Sequence, residues 1–139
     1  MTDLVRILHV EDDPDISSVV HMSLTMLGGY EVAQFGSGRE AVENAEGQDA
    51  DLLLLDMMMP GLNGLETLAR LRQYPQFADT PALLFTAKTV DLPPDEEARA
   101  RGIIGTIRKP FGATDLPDEI RNKWNSFANS QTAPQQMTG

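Results

Sequence analysis

Five polar side chains stand at or just past the end of apolar runs. Glu11 and Asp12 follow the run that closes at Val10, Asp56 follows four leucines, Thr86 follows Phe85, and Lys109 lies two residues past Ile107. Three carboxylates, a hydroxyl and an ammonium form a chemically specific set. Carboxylates gathered in one place raise each other's pKa unless a cation sits among them. Oxygen ligands alone, with no His or Cys, suit a hard cation such as Mg²⁺, which takes carboxylates, a backbone carbonyl and retained waters. Asp56 closes the most apolar run of the chain, where it would be held well enough to attack a phosphorus centre as a nucleophile. Phosphoryl transfer then needs its equatorial oxygens neutralised. Mg²⁺ could serve one, the Lys109 ammonium a second, and the Thr86 hydroxyl with a backbone N–H the third.

Such convergence requires elements that bring distant segments to one edge. Apolar runs at Val5 to Val10, Tyr30 to Phe35, Asp51 to Leu55, Pro81 to Phe85 and Ile103 to Ile107 read as strands. Helical patterns alternate with them, the mark of an α/β fold with a parallel sheet. Asp13-Pro14 reads as a cap and first position, followed by Ile16, Val19, Val20, Ser23, Leu24 and Leu27 at helical spacing until Gly28-Gly29. Ser37 caps a second helix to Ala45, Leu65, Leu68 and Leu71 mark a third that Pro75 ends, and Ile120, Trp124 and Phe127 stripe a last one with Pro117 in its first turn. Five strands separated by single helices predict a flavodoxin-like, doubly wound, five-stranded parallel sheet in the order 2-1-3-4-5, with helices on both faces. Ligands in such sheets bind at the carboxyl ends of the strands, where the five polar residues fall.

Composition narrows the function classes. The 139 residues fit one domain, read as residues 1–129 with a polar, disordered tail over 130–139. There is no cysteine, so thiolate chemistry and disulfides are excluded. No apolar run approaches the roughly 20 residues of a membrane span, and the N-terminus lacks the layout of a signal peptide; a cytoplasmic location without membrane attachment is the expectation. The net charge is −10, from 11 basic and 21 acidic residues. That charge repels nucleic acid, so no direct DNA binding is expected of this domain.

The segments ILHVEDDPDI, LLLLDMMMPGLNGLE, ALLFTAK and IRKPF closely resemble the four signature blocks of two-component response-regulator receiver domains. The likeness runs from about Val5 to Phe127, and is to the stand-alone, chemotaxis-receiver type. It implies that Glu11 and Asp12 bind Mg²⁺, that Asp56 is both metal ligand and phosphoacceptor, and that the Met58 carbonyl completes the metal shell. It implies Thr86 as the switch hydroxyl, Lys109 as the phosphoryl-pairing lysine, and a cis Lys109–Pro110 bond. The donor it implies is a phosphohistidine on a sensor histidine kinase or a histidine phosphotransfer protein. The output would be a separate, unidentified protein. Such a chain is no turnover enzyme; it catalyses only its own phosphorylation and slow dephosphorylation.

Taken singly, each residue has an ordinary reading: Asp56 a turn residue, Asp13 a cap, Lys109 a surface lysine, and Asp95-Glu96-Glu97 a solvated first helical turn. Met57, Met58 and Met59 read as loop and core filling, with Met59 packing inward, and His9 and His21 as structural. Two departures from the receiver pattern stand out. Thr106 occupies the position three before the lysine where receivers commonly carry an aromatic. Asp91-Leu92-Pro93-Pro94 delays the fourth helix to about Asp95, which puts dimerisation through helix four, strand five and helix five in doubt. Met58 and Lys88 flank the path of a hydrolytic water and offer no base at neutral pH, so slow phosphoaspartate decay is expected. The alternative is a receiver-fold interaction module without phosphorylation, against which the intact five-residue set argues. A haloacid-dehalogenase-type hydrolase would need Asp where Met58 stands, and a flavodoxin would need a phosphate-binding first loop where this one is acidic.

Overall fold

The strands are short because each needs only to cross one layer. In a computed structural model, which describes residues 3–87 and 92–132, they are β1 (Arg6–Val10), β2 (Glu31–Phe35), β3 (Leu52–Asp56), β4 (Ala82–Thr86) and β5 (Ile103–Arg108). All pair in parallel in the order β2-β1-β3-β4-β5, as the alternation of elements predicts. Helices α1 (Pro14–Met22), α2 (Gly38–Glu43), α3 (Gly64–Leu71) and α4 (Asp95–Ala100) make the four crossovers, and α5 (Leu116–Thr132) follows β5.

β3 and β4 are buried at every residue, as strands covered on both faces must be. Alternate residues divide between two cores. Ile7, Leu52, Leu54, Leu83, Phe85 and Ile107 pack with Val20, Leu24, Ile120 and Trp124 of the α1 and α5 layer. Leu8, Val10, Leu53, Leu55 and Leu84 pack with Ala41, Leu68, Leu71 and Phe77 of the opposite layer.

Local chemistry sets the helix starts. The Asp13 carboxylate accepts from the N–H groups of Asp15 and Ile16 with Pro14 in the first turn, and Asn63 with Glu66 forms a reciprocal capping box on α3. Several boundaries differ from the sequence reading. α1 passes into a π-helical segment, Ser23–Leu27, before Gly28 stops it. α2 ends at Glu43 rather than Ala45. After α3, Pro75–Phe77 forms a 3₁₀ turn that buries Phe77 completely. α5 continues to Thr132, past the tail boundary read after Asn129, and 133–139 lie outside the described residues. Lys88 and Asp91 lie outside them as well.

Candidate functional site

Parallel register carries the polar residues to one edge. Val10 pairs with Leu55 and Asp56 with Phe85, so Glu11, Asp56 and Thr86 come at successive carboxyl ends of β1, β3 and β4. The Lys109 N–H donates to the Thr86 carbonyl at 2.9 Å, which brings the residue after β5 to the same edge. Gly64 lets α3 start against this edge: a Cβ there would stand 2.7 Å from the Asp56 carbonyl oxygen.

Carboxylate oxygens of Glu11, Asp12 and Asp56 lie within 4.8 Å of one another. Glu11 and Asp56 are buried, whereas Asp12 is exposed. Lys109 Nζ stands 2.8 Å from Glu11 Oε1 and 3.3 Å from Asp56 Oδ2, and 5.7 Å from the Phe85 ring centroid. The N–H of Met58 donates to Asp56 Oδ1 at 3.4 Å, and that of Asp13 to Glu11 Oε2 at 3.2 Å. Glu11, Asp12, Asp56 and Lys109 are thus brought together as their types predict. Thr86 is buried at the adjoining strand end, and Met58 follows Asp56 with its N–H on the acid and its side chain exposed. Of the methionine triplet, Met57 and Met59 both turn inward, Met57 more completely than Met59. The Lys109–Pro110 peptide is cis.

Electrostatics follow from this geometry. Burial pushes Glu11 up to about 7, with the Asp56 charge adding to the rise and the Lys109 bond opposing it. For Lys109, burial favours the neutral form, but its bonds and charges with Glu11 and Asp56 outweigh that and raise its pKa. One further group, read from the sequence as structural, lies in the core. His9 is fully buried, takes a 3.0 Å contact from Gln34 Nε2 at Nδ1, and lies edge-on to Phe85. Burial first, and then the Lys109 charge, lower its pKa to about 3. It is a neutral core residue, as the lack of a ligand partner suggests. The sequence brings Glu11 and Lys109 to one edge without pairing them directly, and it holds no signal for the contact between Gln34 and His9.

A family model described as the response regulator receiver domain matches residues 7–121. The chain belongs to that family. Among curated relatives, the transcriptional regulatory protein TcrA of Mycobacterium tuberculosis is 43% identical over 121 residues, covering 84% of this receiver and 45% of the relative. The phosphate regulon regulator PhoB of Rhizobium meliloti is 32% identical over 122 residues, covering 85% and 51%. This receiver therefore spans about half the length of those relatives. Of solved structures, chemotaxis protein CheY4 of Vibrio cholerae matches with a TM-score of 0.74 at 30% identity, covering 86% of this chain and 98% of that one. The receiver domain of sensor histidine kinase PA1611 from Pseudomonas aeruginosa, solved with a magnesium ion in its active-site cleft, gives 0.71 at 30% identity, covering 88% and 98%. This receiver is a signalling protein of the two-component type, and its acidic cluster is of the kind that binds Mg²⁺.

Proposed function

We propose that Asp56 accepts a phosphoryl group from a phosphohistidine on a sensor kinase or a histidine phosphotransfer protein, and that the phosphorylated chain changes its affinity for a separate output protein. The observation that carries this reading is the buried Asp56 carboxylate sharing the Lys109 ammonium with Glu11, beside the exposed Asp12. An Asp56 oxygen attacks phosphorus; the P–N bond to the donor imidazole breaks, its electron pair returns to the ring, and an acyl phosphate results. Lys109 already spans two acids and can keep one partner while meeting the new phosphoryl oxygens. The Met58 N–H, which meets Asp56 at 3.4 Å, and the hydroxyl of Thr86, which ends the next strand, would serve the others.

The donor set fits Mg²⁺. It contains carboxylates alone within 4.8 Å, one of them kept from easy ionisation by its burial. Glu11, Asp12, Asp56 and the Met58 carbonyl would hold the ion. When bound it supplies positive charge that neutralises the acids and polarises a phosphoryl oxygen. The magnesium seen in the PA1611 receiver supports the same assignment here. Transfer onto Asp56 adds charge at a buried strand end, which biases the chain between two conformations. With Thr106 in place of an aromatic, that bias is expressed without a ring rotating at this position. Met58 offers no base beside Asp56, so the phosphoaspartate is long-lived, and partner-free decay within seconds would contradict this. We place the chain in the cytoplasm with its donor; among the described residues no helix is long and apolar enough to cross a membrane.

Intact mass after incubation with acetyl phosphate and Mg²⁺ tests the reading. The parent should gain one phosphoryl group, Asp56→Asn none, and chelation with EDTA should abolish the gain. A folded, Mg²⁺-replete parent that gains nothing would favour a phosphorylation-independent interaction module.

A further inference from the structure

The site residues are not equally well held. Asp56 ends a strand with a neighbour on each side, and Glu11 follows another, but Lys109 follows β5, an edge strand paired only with β4. A side chain carried past an edge strand depends on contacts from outside the sheet for its position. Three such contacts hold the segment after β5. The Phe111 ring packs on Phe85 with centroids 5.2 Å apart, and the Gly112 carbonyl accepts the Asp115 and Leu116 N–H groups that open α5. The third comes from the end of α1, in the same layer as α5: the Ser23 hydroxyl donates to the Ala113 carbonyl at 2.5 Å, across 90 positions of sequence.

Ser23 is itself buried, and it opens the π-helical segment at the end of α1. There the Gly28 N–H reaches back five residues to the Ser23 carbonyl. The far end of the segment is tied to α5, where Arg121 Nε donates to the Tyr30 hydroxyl at 3.1 Å and stacks over its ring. Local sequence offers no reason for a π turn here, and π turns collect where a helix is re-aimed for function. We infer that Ser23 is a positioning residue for Lys109, acting through the Ala113 carbonyl. The inference rests on the role proposed above for Lys109. Removing the hydroxyl leaves the Lys109 backbone bonded to the Thr86 carbonyl but the residues after it held only by Phe111 and the start of α5, which lets the lysine segment shift by the fraction of an ångström to which phosphoryl transfer is sensitive.

Two readouts test this. With acetyl phosphate and saturating Mg²⁺, Ser23→Ala should slow phosphoryl gain by about fivefold, while Mg²⁺ affinity stays within about twofold of the parent. In a Lys109→Ala background the same substitution should change nothing further. Equal rates in parent and Ser23→Ala would overturn the inference, as would an undiminished slowing when Lys109 is absent. The second readout needs no phosphorylation: in Mg²⁺-free protein the Lys109 ammonium NMR signal, protected by its bond to Glu11, should broaden or vanish in Ser23→Ala. An unchanged signal overturns the positioning role even if the parent takes no phosphoryl group, a result that would instead sink the proposed function. Should Ser23→Ala fail to fold, Ser23→Cys keeps the shape with a weaker donor and should move both readouts in the same direction.

Discussion

Two helices flank the edge strand β5, and they are held very differently. α5 buries Leu116, Ile120, Trp124 and Ala128 at every fourth position, and Arg121 ties it to Tyr30. α4 is a six-residue helix with no buried residue, and its start at Pro94 supplies no side-chain cap. Only Ala98 reaches the core, partly buried. Between them runs a groove of about 1100 Å³ floored by Gly105 and Thr106, which none of Glu11, Asp12 and Asp56 lines. The contrast teaches where rigidity is invested. The flank that carries the lysine segment belongs to the frame, and the α4 flank, with no buried residue and no side-chain cap, has little to hold it, as suits an element of low local stability.

The comparison breaks most readily at Trp124. Trp124→Ala should cost about 3–5 kcal/mol in urea denaturation; a cost below about 1 kcal/mol would mean that α5 is no better anchored than α4. A smaller, pH-dependent effect belongs to the strand edge that both flanks adjoin. In the metal-free protein Glu11 titrates near 7, against 4.5 when exposed. Its raised pKa favours the folded state fully below pH 4.5 and is lost as pH climbs through 7. Glu11→Gln should therefore gain stability relative to the parent over that window, and Mg²⁺ should bind the parent more tightly across it. Parallel pH profiles for the two proteins would contradict the assignment. On the weak flank, Ala98→Gly should cost no more than about 1 kcal/mol, with α4 amides exchanging faster than those of α5 in hydrogen-exchange measurements. Smallest of all, Glu97→Ala removes an exposed 2.6 Å pair with Arg101 and should cost about 0.3–0.5 kcal/mol.

Sequence legibility follows the same division. The sheet, its order and the polar set at its edge were readable because buried parallel strands must be continuously apolar and because turn and cap residues such as Asp13-Pro14 act locally. The four leucines before Asp56 gave no alternation, so the strand reads one residue early. Long-range hydrogen bonding could not be read at all. Arg72, the C-cap of α3, is half-buried and donates to the carbonyls of Phe77, Thr80 and Arg101. It links the end of α3 to the turns before β4 and β5. Phe77 was hidden behind Pro75, whose helix-ending role is local while the core position of its neighbour is tertiary. The Glu11–Lys109 pair and the Ser23–Ala113 bond belong to the same class: their partners are chosen by topology, not spacing.

Met58 differs from its two neighbours in being exposed, with its backbone on Asp56. In a chain without cysteine, accessible thioethers are where an oxidant spends itself. Met58 therefore makes the acidic edge open to peroxide. Its sulfoxide would set a polar, chiral group beside Asp56 without touching the core, a lesion that methionine sulfoxide reductases reverse.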